Sequence, residues 1–245
     1  MSLRVGLLLF LFGVASAHAG AFLQPEGKGL IIQQATSSKL RSDCTCPVAN
    51  KQSAETTIEW GLTSFLTLFQ QVSNTRRITI ADDSLLYPPM LSELGLRVAL
   101  WQAGPSIMSS QFEVRAMDDP LRQGTGLPLR ELRVMFGHSF NTALGPGFLS
   151  FAPGARSGSG RPVEGHLEVA AGLALSDRWQ ALGQLYSRWR HPSSEQPGGF
   201  QHRLQASLVF NPGRSWSLQA GILTTPLASG LMREHGLVIS LWKRL

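Results

Sequence analysis

The last twelve residues of the chain, 234 to 245, read EHGLVISLWKRL. On an extended strand Leu237, Ile239, Leu241 and Leu245 share one face, while Glu234, Ser240 and Arg244 share the other. The same period of two recurs upstream. Val163, Leu167, Val169, Leu173 and Leu175 oppose Glu164, His166 and Glu168, and His202, Leu204, Ala206, Leu208 and Phe210 oppose Gln201, Arg203, Gln205 and Ser207. Leu94, Leu96, Val98 and Leu100 oppose Glu93, Gly95, Arg97 and Ala99; Leu132, Val134, Phe136 and Phe140 oppose Glu131, Arg133, Gly137 and Ser139. This pattern calls for strands with one apolar and one polar face. A chain that ends on such a strand is expected to close a barrel, its last strand pairing with the one near residues 28 to 36.

The N-terminus indicates where such a barrel would work. Met1 to Arg4 is a short basic start, Val5 to Val14 an apolar run, and Ala15-Ser16-Ala17-His18-Ala19 a set of small residues suited to cleavage. The expected organisation is a signal peptide over 1–19 and a mature chain over 20–245. An apolar run of this length is too short for a helical span, which needs roughly 20 residues. No second apolar run of 18 or more follows, which excludes a helical membrane protein. Only strands are left to cross. No lipobox cysteine accompanies the signal.

The formal net charge is +6, of which Arg4 leaves with the signal. In a cytosolic chain this balance would suggest nucleic acid; export removes that partner and leaves lipopolysaccharide or acidic solutes as counter-charges. The two cysteines, Cys44 and Cys46, flank Thr45 in a polar stretch. An oxidising compartment permits a small-ring disulfide between them, with free thiols or a metal site as alternatives.

Beyond a tether at residues 20 to 27, about twelve alternating segments follow, near 28–36, 54–62, 65–73, 91–102, 105–117, 129–141, 147–157, 163–175, 178–190, 201–211, 216–225 and 234–245. Long links (37–53, 74–90, 118–128, 191–200, 226–233) alternate with short ones (Thr63-Ser64, Ala103-Gly104, Thr142 to Pro146, Ser176-Asp177, Asn211 to Ser215). Outer-membrane barrels show this asymmetry, with tight periplasmic turns and longer outward loops. One link, Gly158 to Pro162, is shorter than its place requires. The fold class is therefore all-β, a transmembrane antiparallel up-and-down barrel of about 12 strands. Ten or fourteen are the alternatives, because residues 60–73 also read as a short helix and 74–90 leave room for strand extensions.

A soluble β-sandwich shares the alternation. Mid-strand charges on the polar faces, glycines recurring there (Gly61, Gly95, Gly137, Gly172, Gly221, Gly236) and the terminal strand favour lipid on the apolar side.

The stretches GAFLQPEGKGLIIQQ, Glu59-Trp60-Gly61-Leu62-Thr63 with Leu66-Thr67-Leu68, Glu93-Leu94-Gly95-Leu96-Arg97 and the closing strand carry a family likeness. Together they resemble a proteobacterial outer-membrane β-barrel family, distantly similar to channels encoded with aromatic (phenol meta-pathway) degradation clusters. The resemblance covers nearly the whole mature chain and implies a transporter-like barrel; it brings no catalytic residue. Leu245 and Lys243 stand where the assembly signal of such barrels usually has an aromatic residue and an aromatic or apolar one. Lys243 is expected to snorkel at the periplasmic interface.

With apolar faces toward lipid, Glu59, Glu93, Arg97, Glu113, Arg115, Glu131, Arg133, Glu164, His166, Glu168, Arg188 and Arg203 become candidate lumen-lining residues, joined by Gln111, Arg156 and Glu234. Both signs occur in similar numbers. Two readings follow: a selectivity surface for small polar or charged solutes, or a salt-bridged plug. A lipid-modifying enzyme is a third class. His138 and Ser139 point to opposite faces and cannot pair locally as base and nucleophile, and His166 between Glu164 and Glu168 reads as an ordinary lumen histidine. No catalytic residue, metal or cofactor is expected. The expected partners are outer-membrane lipids and lipopolysaccharide, the barrel-assembly machinery and a small solute. Trp60, Trp101, Trp179, Trp189, Trp216 and Trp242 lie toward strand ends, as interfacial belts require, with Trp101 and Trp242 on the polar-face register.

Overall fold

A computed structural model of the chain describes residues 21–41, 49–79, 85–86, 90–118, 126–158, 161–192 and 198–245. The expected signal peptide and the pair Cys44 and Cys46 lie outside the described residues.

Twelve long strands of 12 to 16 residues form one antiparallel sheet: β1 (Gly29–Arg41), β2 (Ala49–Thr63), β3 (Leu66–Thr79), β5 (Met90–Ala103), β6 (Ser106–Asp118), β7 (Gly126–Asn141), β8 (Pro146–Gly158), β9 (Arg161–Ala174), β10 (Trp179–Arg190), β11 (Gly199–Phe210), β12 (Trp216–Ser229) and β13 (Arg233–Arg244). The two-residue β4 (Leu85–Leu86) only extends the edge of β3. Each long strand pairs with its sequence neighbours, and β1 pairs with β13 from Leu30 opposite Arg244 to Arg41 opposite Arg233. The sheet is closed, so no edge remains to be satisfied. Residues 60–73, read alternatively as a helix, belong to β2 and β3 and the turn between them.

Short turns gather at one end, together with Gly29 and Leu245, whose backbones bond each other with Leu245 N donating to Gly29 O at 2.8 Å. At the β5–β6 turn Gly104 has φ +54°, a left-handed conformation that glycine adopts without a Cβ penalty. The longer links gather at the other end, the exception being β8–β9, where only residues 159 and 160 separate the strands.

The sheet is polar inside and apolar outside. Glu59, Glu93, Arg97, Gln111, Glu113 and Glu131 are buried, whereas Leu94, Phe112, Leu132, Leu208, Ile222 and Ile239 are among the most exposed side chains. A water-soluble domain does not present so continuous an apolar surface; a hydrocarbon phase accepts it. Trp60, Trp101, Trp179 and Trp216 ring the short-turn end on the exposed surface, and Trp189 and Phe200 stand toward the loop end. Trp179 and Trp189 bracket β10; ten residues at about 3.3 Å each, tilted by about 40°, span about 25 Å, the height of the apolar band in such barrels. Lys243 Nζ sits 4.8 Å from the Trp216 ring centroid, at the short-turn interface.

Two sequence expectations need correction. Trp101 does not enter the lumen: a β-bulge between Ala99 and Trp101 in the β5–β6 ladder shifts the register and turns its ring outward, where it is 49% exposed. Trp242, on an unbroken register, is buried inside the barrel. Residues 21 to 27 are not an outlying tether either. They fold back from β1 into the barrel.

Candidate functional site

The inner, short-turn end of the lumen is filled by the chain's own N-terminal segment. Gly27, with φ +68°, makes the reversal; Lys28 N donates to Pro25 O at 3.0 Å, and Gly27 N to Gly61 O at 2.9 Å. Beyond that turn the backbone is held by the wall. Ser109 Oγ donates to Ala21 O (2.9 Å), an Arg97 guanidinium nitrogen to Phe22 O (2.9 Å), and Gln24 N to Thr67 Oγ1 (3.0 Å). Gln24 Nε2 donates to Glu59 Oε2 at 2.8 Å, while Glu59 Oε1 lies 3.1 Å from Arg97. The carboxylate thus ties segment and wall through one group, and its charge is neutralised where it is buried.

Wall composition makes room for this segment. A Cβ on Gly61 would collide with Pro25 O and Gln24 O, and one on Gly137 would come within 2.9 Å of Ala21 Cβ and Phe22. Inward residues at this depth are also apolar, against the trend elsewhere. Leu30, Phe148, Ala170, Leu182, Val209 and Trp242 form one buried cluster with Phe22 against it, its ring edge-on to Phe148 at 6.2 Å between centroids. Ala21, Ile107, Met135 and Ala152 form a second. This end of the barrel is packed as a small hydrophobic core.

Toward the loop end the interior becomes charged. Glu131, 2% exposed, is a hub: both Arg133 and Arg156 donate from Nε, the latter at 2.6 Å, and His166 Nε2 lies 2.9 Å from Oε1. Arg115 bridges Glu93 (2.5 Å) and Glu113 (3.4 Å), and Arg133 extends to Glu168 (3.6 Å). Across the β1–β13 closure seam Glu234 accepts from Ser38 Oγ (2.6 Å) and Lys51 Nζ (3.1 Å). Glu164 pairs with Arg190 at 2.7 Å. The register explains the meeting: Glu131 is opposite Arg156, Arg156 opposite Glu164, and His166 opposite Arg188 on successive strands.

Above this network lies a cavity of about 830 Å³. Its cations are Lys51, Arg133, Arg156, Arg188, Arg190 and Arg203; its carboxylates are Glu168 and Glu234. The twelve residues singled out from sequence all fall on the inward register, yet they divide by depth. Glu59 and Arg97 hold the N-terminal segment, Glu93, Glu113, Arg115 and Glu131 form the network beneath the cavity, Glu164 is held by Arg190, and Arg133, His166, Glu168, Arg188 and Arg203 line the cavity. Similar numbers of both signs along the sequence become unequal at the cavity surface, because most of the carboxylates lie deeper. Sequence reasoning did not identify Tyr186, Lys51 and Arg190 as site residues, nor the N-terminal segment. The inward small residues Gly61, Ser109 and Gly137 were the available sign of the segment.

Serine and histidine do meet across strands, though not as expected from their neighbours in sequence. Ser106 Oγ lies 2.8 Å from His138 Nδ1, and Ser187 Oγ 2.8 Å from His202 Nδ1. The second pair sits beneath Trp189 and Phe200, with Ser187 only 3% exposed, and no acidic residue orients either imidazole among the described residues.

Comparison with known proteins places this geometry. The fold matches an outer membrane channel from Pseudomonas putida F1 with TM-score 0.68 at 12% identity, over 93% of this chain and 99% of that one. The chain is a closed twelve-stranded antiparallel β-barrel with the fold of that channel. A KdgM porin in complex with disordered oligogalacturonate also aligns, with TM-score 0.50 at 10% identity, over 86% of this chain and 98% of that one. At such identities the likeness is one of fold. No protein-family model matches the chain, and no curated protein does.

Proposed function

We propose that this barrel is a porin-like channel for small polar or charged solutes, without a catalytic step, whose inner end is closed by residues 21 to 25. The observation that carries the reading is the 830 Å³ charged cavity at the loop end, lined by Leu40, Arg190 and residues 230 to 232 at its outer rim. A barrel serving only as a scaffold can fill its interior with packed side chains, as the inner end is filled, whereas charged groups here line open space. Passage then requires the N-terminal segment to leave its seat. A few hydrogen bonds and two small apolar clusters hold it there.

The packed inner end favours a second reading, a closed barrel acting through its outward loops. Planar-bilayer recording separates the two. The channel reading expects small or intermittent currents from the intact barrel and steady, several-fold larger currents when residues 21 to 24 are deleted. A deletion variant that inserts, migrates with heat modifiability and still passes no current would leave the closed barrel as the account.

A further inference from the structure

Two guanidinium groups in the outer cavity are under-neutralised. Arg203 makes no ion pair and no hydrogen bond among the described residues; its Nε is buried without a partner, and its charge lies over the Tyr186 ring, 4.5 Å from the centroid. Among the described residues Arg188 has a carboxylate no nearer than Glu164, at 3.9 Å from Nε, and that carboxylate is already held by Arg190 at 2.7 Å. Its Nε is likewise buried without a hydrogen bond, while the side chain as a whole is 39% exposed to the cavity. Every other arginine of the cavity is matched closely, Arg133 and Arg156 by Glu131 and Arg190 by Glu164.

The pair is built into adjacent strands. Tyr186 is opposite Arg203 and Arg188 opposite Gln201, so Arg188 and Arg203 are diagonal neighbours, within reach of one another's ligands for side chains of this length. A β-bulge stands at the same place: His202 pairs with Leu227 and Leu204 with Thr224, leaving Arg203 against both Thr225 and Pro226. The extra residue belongs to β12, so the bulge lies directly across from the residue whose charge lacks a close partner. Thr225 Oγ1, also buried, has no hydrogen-bond partner. The Tyr186 hydroxyl accepts from Gln184 Nε2 at 2.6 Å, which leaves its own proton free to donate.

We infer that Arg188, Arg203 and Tyr186 form a binding site for a small organic dicarboxylate in the outer vestibule. Two guanidinium forks with unfilled donors match two carboxylates, each able to accept paired N–H bonds. An uncharged polar solute can accept hydrogen bonds here but brings no charge to offset the two guanidiniums. The assignment rests on the channel reading for solute entry, and it names the solute class that reading left open.

The test is isothermal titration of the full-length barrel, refolded in detergent, with succinate. Succinate is expected to bind and its uncharged diamide not to. Arg203→Gln and Arg188→Gln should each weaken succinate about tenfold, the loss of one charge-assisted pair. Lys243→Gln, on the outer surface, should leave binding unchanged. Heat-modifiable migration verifies each fold. Should Arg203→Gln fail it, Tyr186→Phe reads the same site, with a weakening of about threefold. Equal binding of succinate and its diamide, or unaltered affinity in the arginine variants, overturns the site. Inorganic phosphate competing as strongly as succinate overturns the dicarboxylate assignment. Binding without current in bilayers removes the channel and leaves the site; current without binding does the reverse.

Discussion

The two ends of the lumen are made from the same twelve strands and the same alternation, and they are chemically opposite. At the short-turn end inward positions are Leu30, Phe148, Leu182, Val209 and Trp242, closed over Phe22. At the loop end they are Glu131, Arg133, Arg156, Arg188 and Arg203 around a cavity. Period two decides which side of the wall a residue faces, and it is silent about depth. Function depends on depth, because an apolar, small-residue interior invites a peptide segment, whereas a charged one keeps a vestibule wet.

The largest effect should come from the charged end. Glu131→Gln leaves Arg133, Arg156 and His166 without their shared carboxylate, and the loss of a buried ion-pair partner costs about 3–5 kcal/mol. Urea unfolding in lipid vesicles reads it. A cost under about 1 kcal/mol would mean that water in the vestibule already neutralises these cations. At the inner end Phe148→Ala should destabilise by about 3 kcal/mol and also loosen the N-terminal segment through the lost contact with Phe22. Protease access to residues 21 to 27 should rise with it. If stability falls while access stays the same, the cluster and the segment are independent. A third change tests the wall that both ends share. Ile239, 57% exposed in mid-strand, should tolerate Ala, while Ile239→Lys costs about 2–4 kcal/mol in the same unfolding measurement. Tolerance of Lys would place this face in water.

The wall was legible in the sequence because alternation needs only local pattern. Glu93, Arg97, Glu131 and Arg133 were assigned to the polar face from their neighbours, and the antiparallel registers place them inside. Strand ends were less legible: β1 runs to Arg41 and β2 starts at Ala49, beyond the segments at 28–36 and 54–62, since polar strand ends above the membrane lose their apolar partners. Trp101 escaped because a single bulge reverses parity and leaves no mark in composition. The N-terminal segment escaped for a different reason. Its partners Thr67, Arg97 and Ser109 lie 43 to 88 residues away from the positions they hold, and only closure of the barrel brings them together. Pairing of Arg188 and Arg203 is likewise a product of the β10–β11 register.

Closure of the inner end by residues 21 to 25 is the centre of this account, and a reversible tether tests it most directly. Ala21 and Ser109, joined here by a hydrogen bond of 2.9 Å, would be replaced by cysteines with Cys44 and Cys46 changed to serine, and bilayer current recorded under oxidising and then reducing conditions. The account predicts that the disulfide forms in the folded barrel, suppresses current while oxidised, and releases it on reduction. A disulfide that forms while current continues undiminished, or two cysteines that never join in a folded barrel, would contradict it.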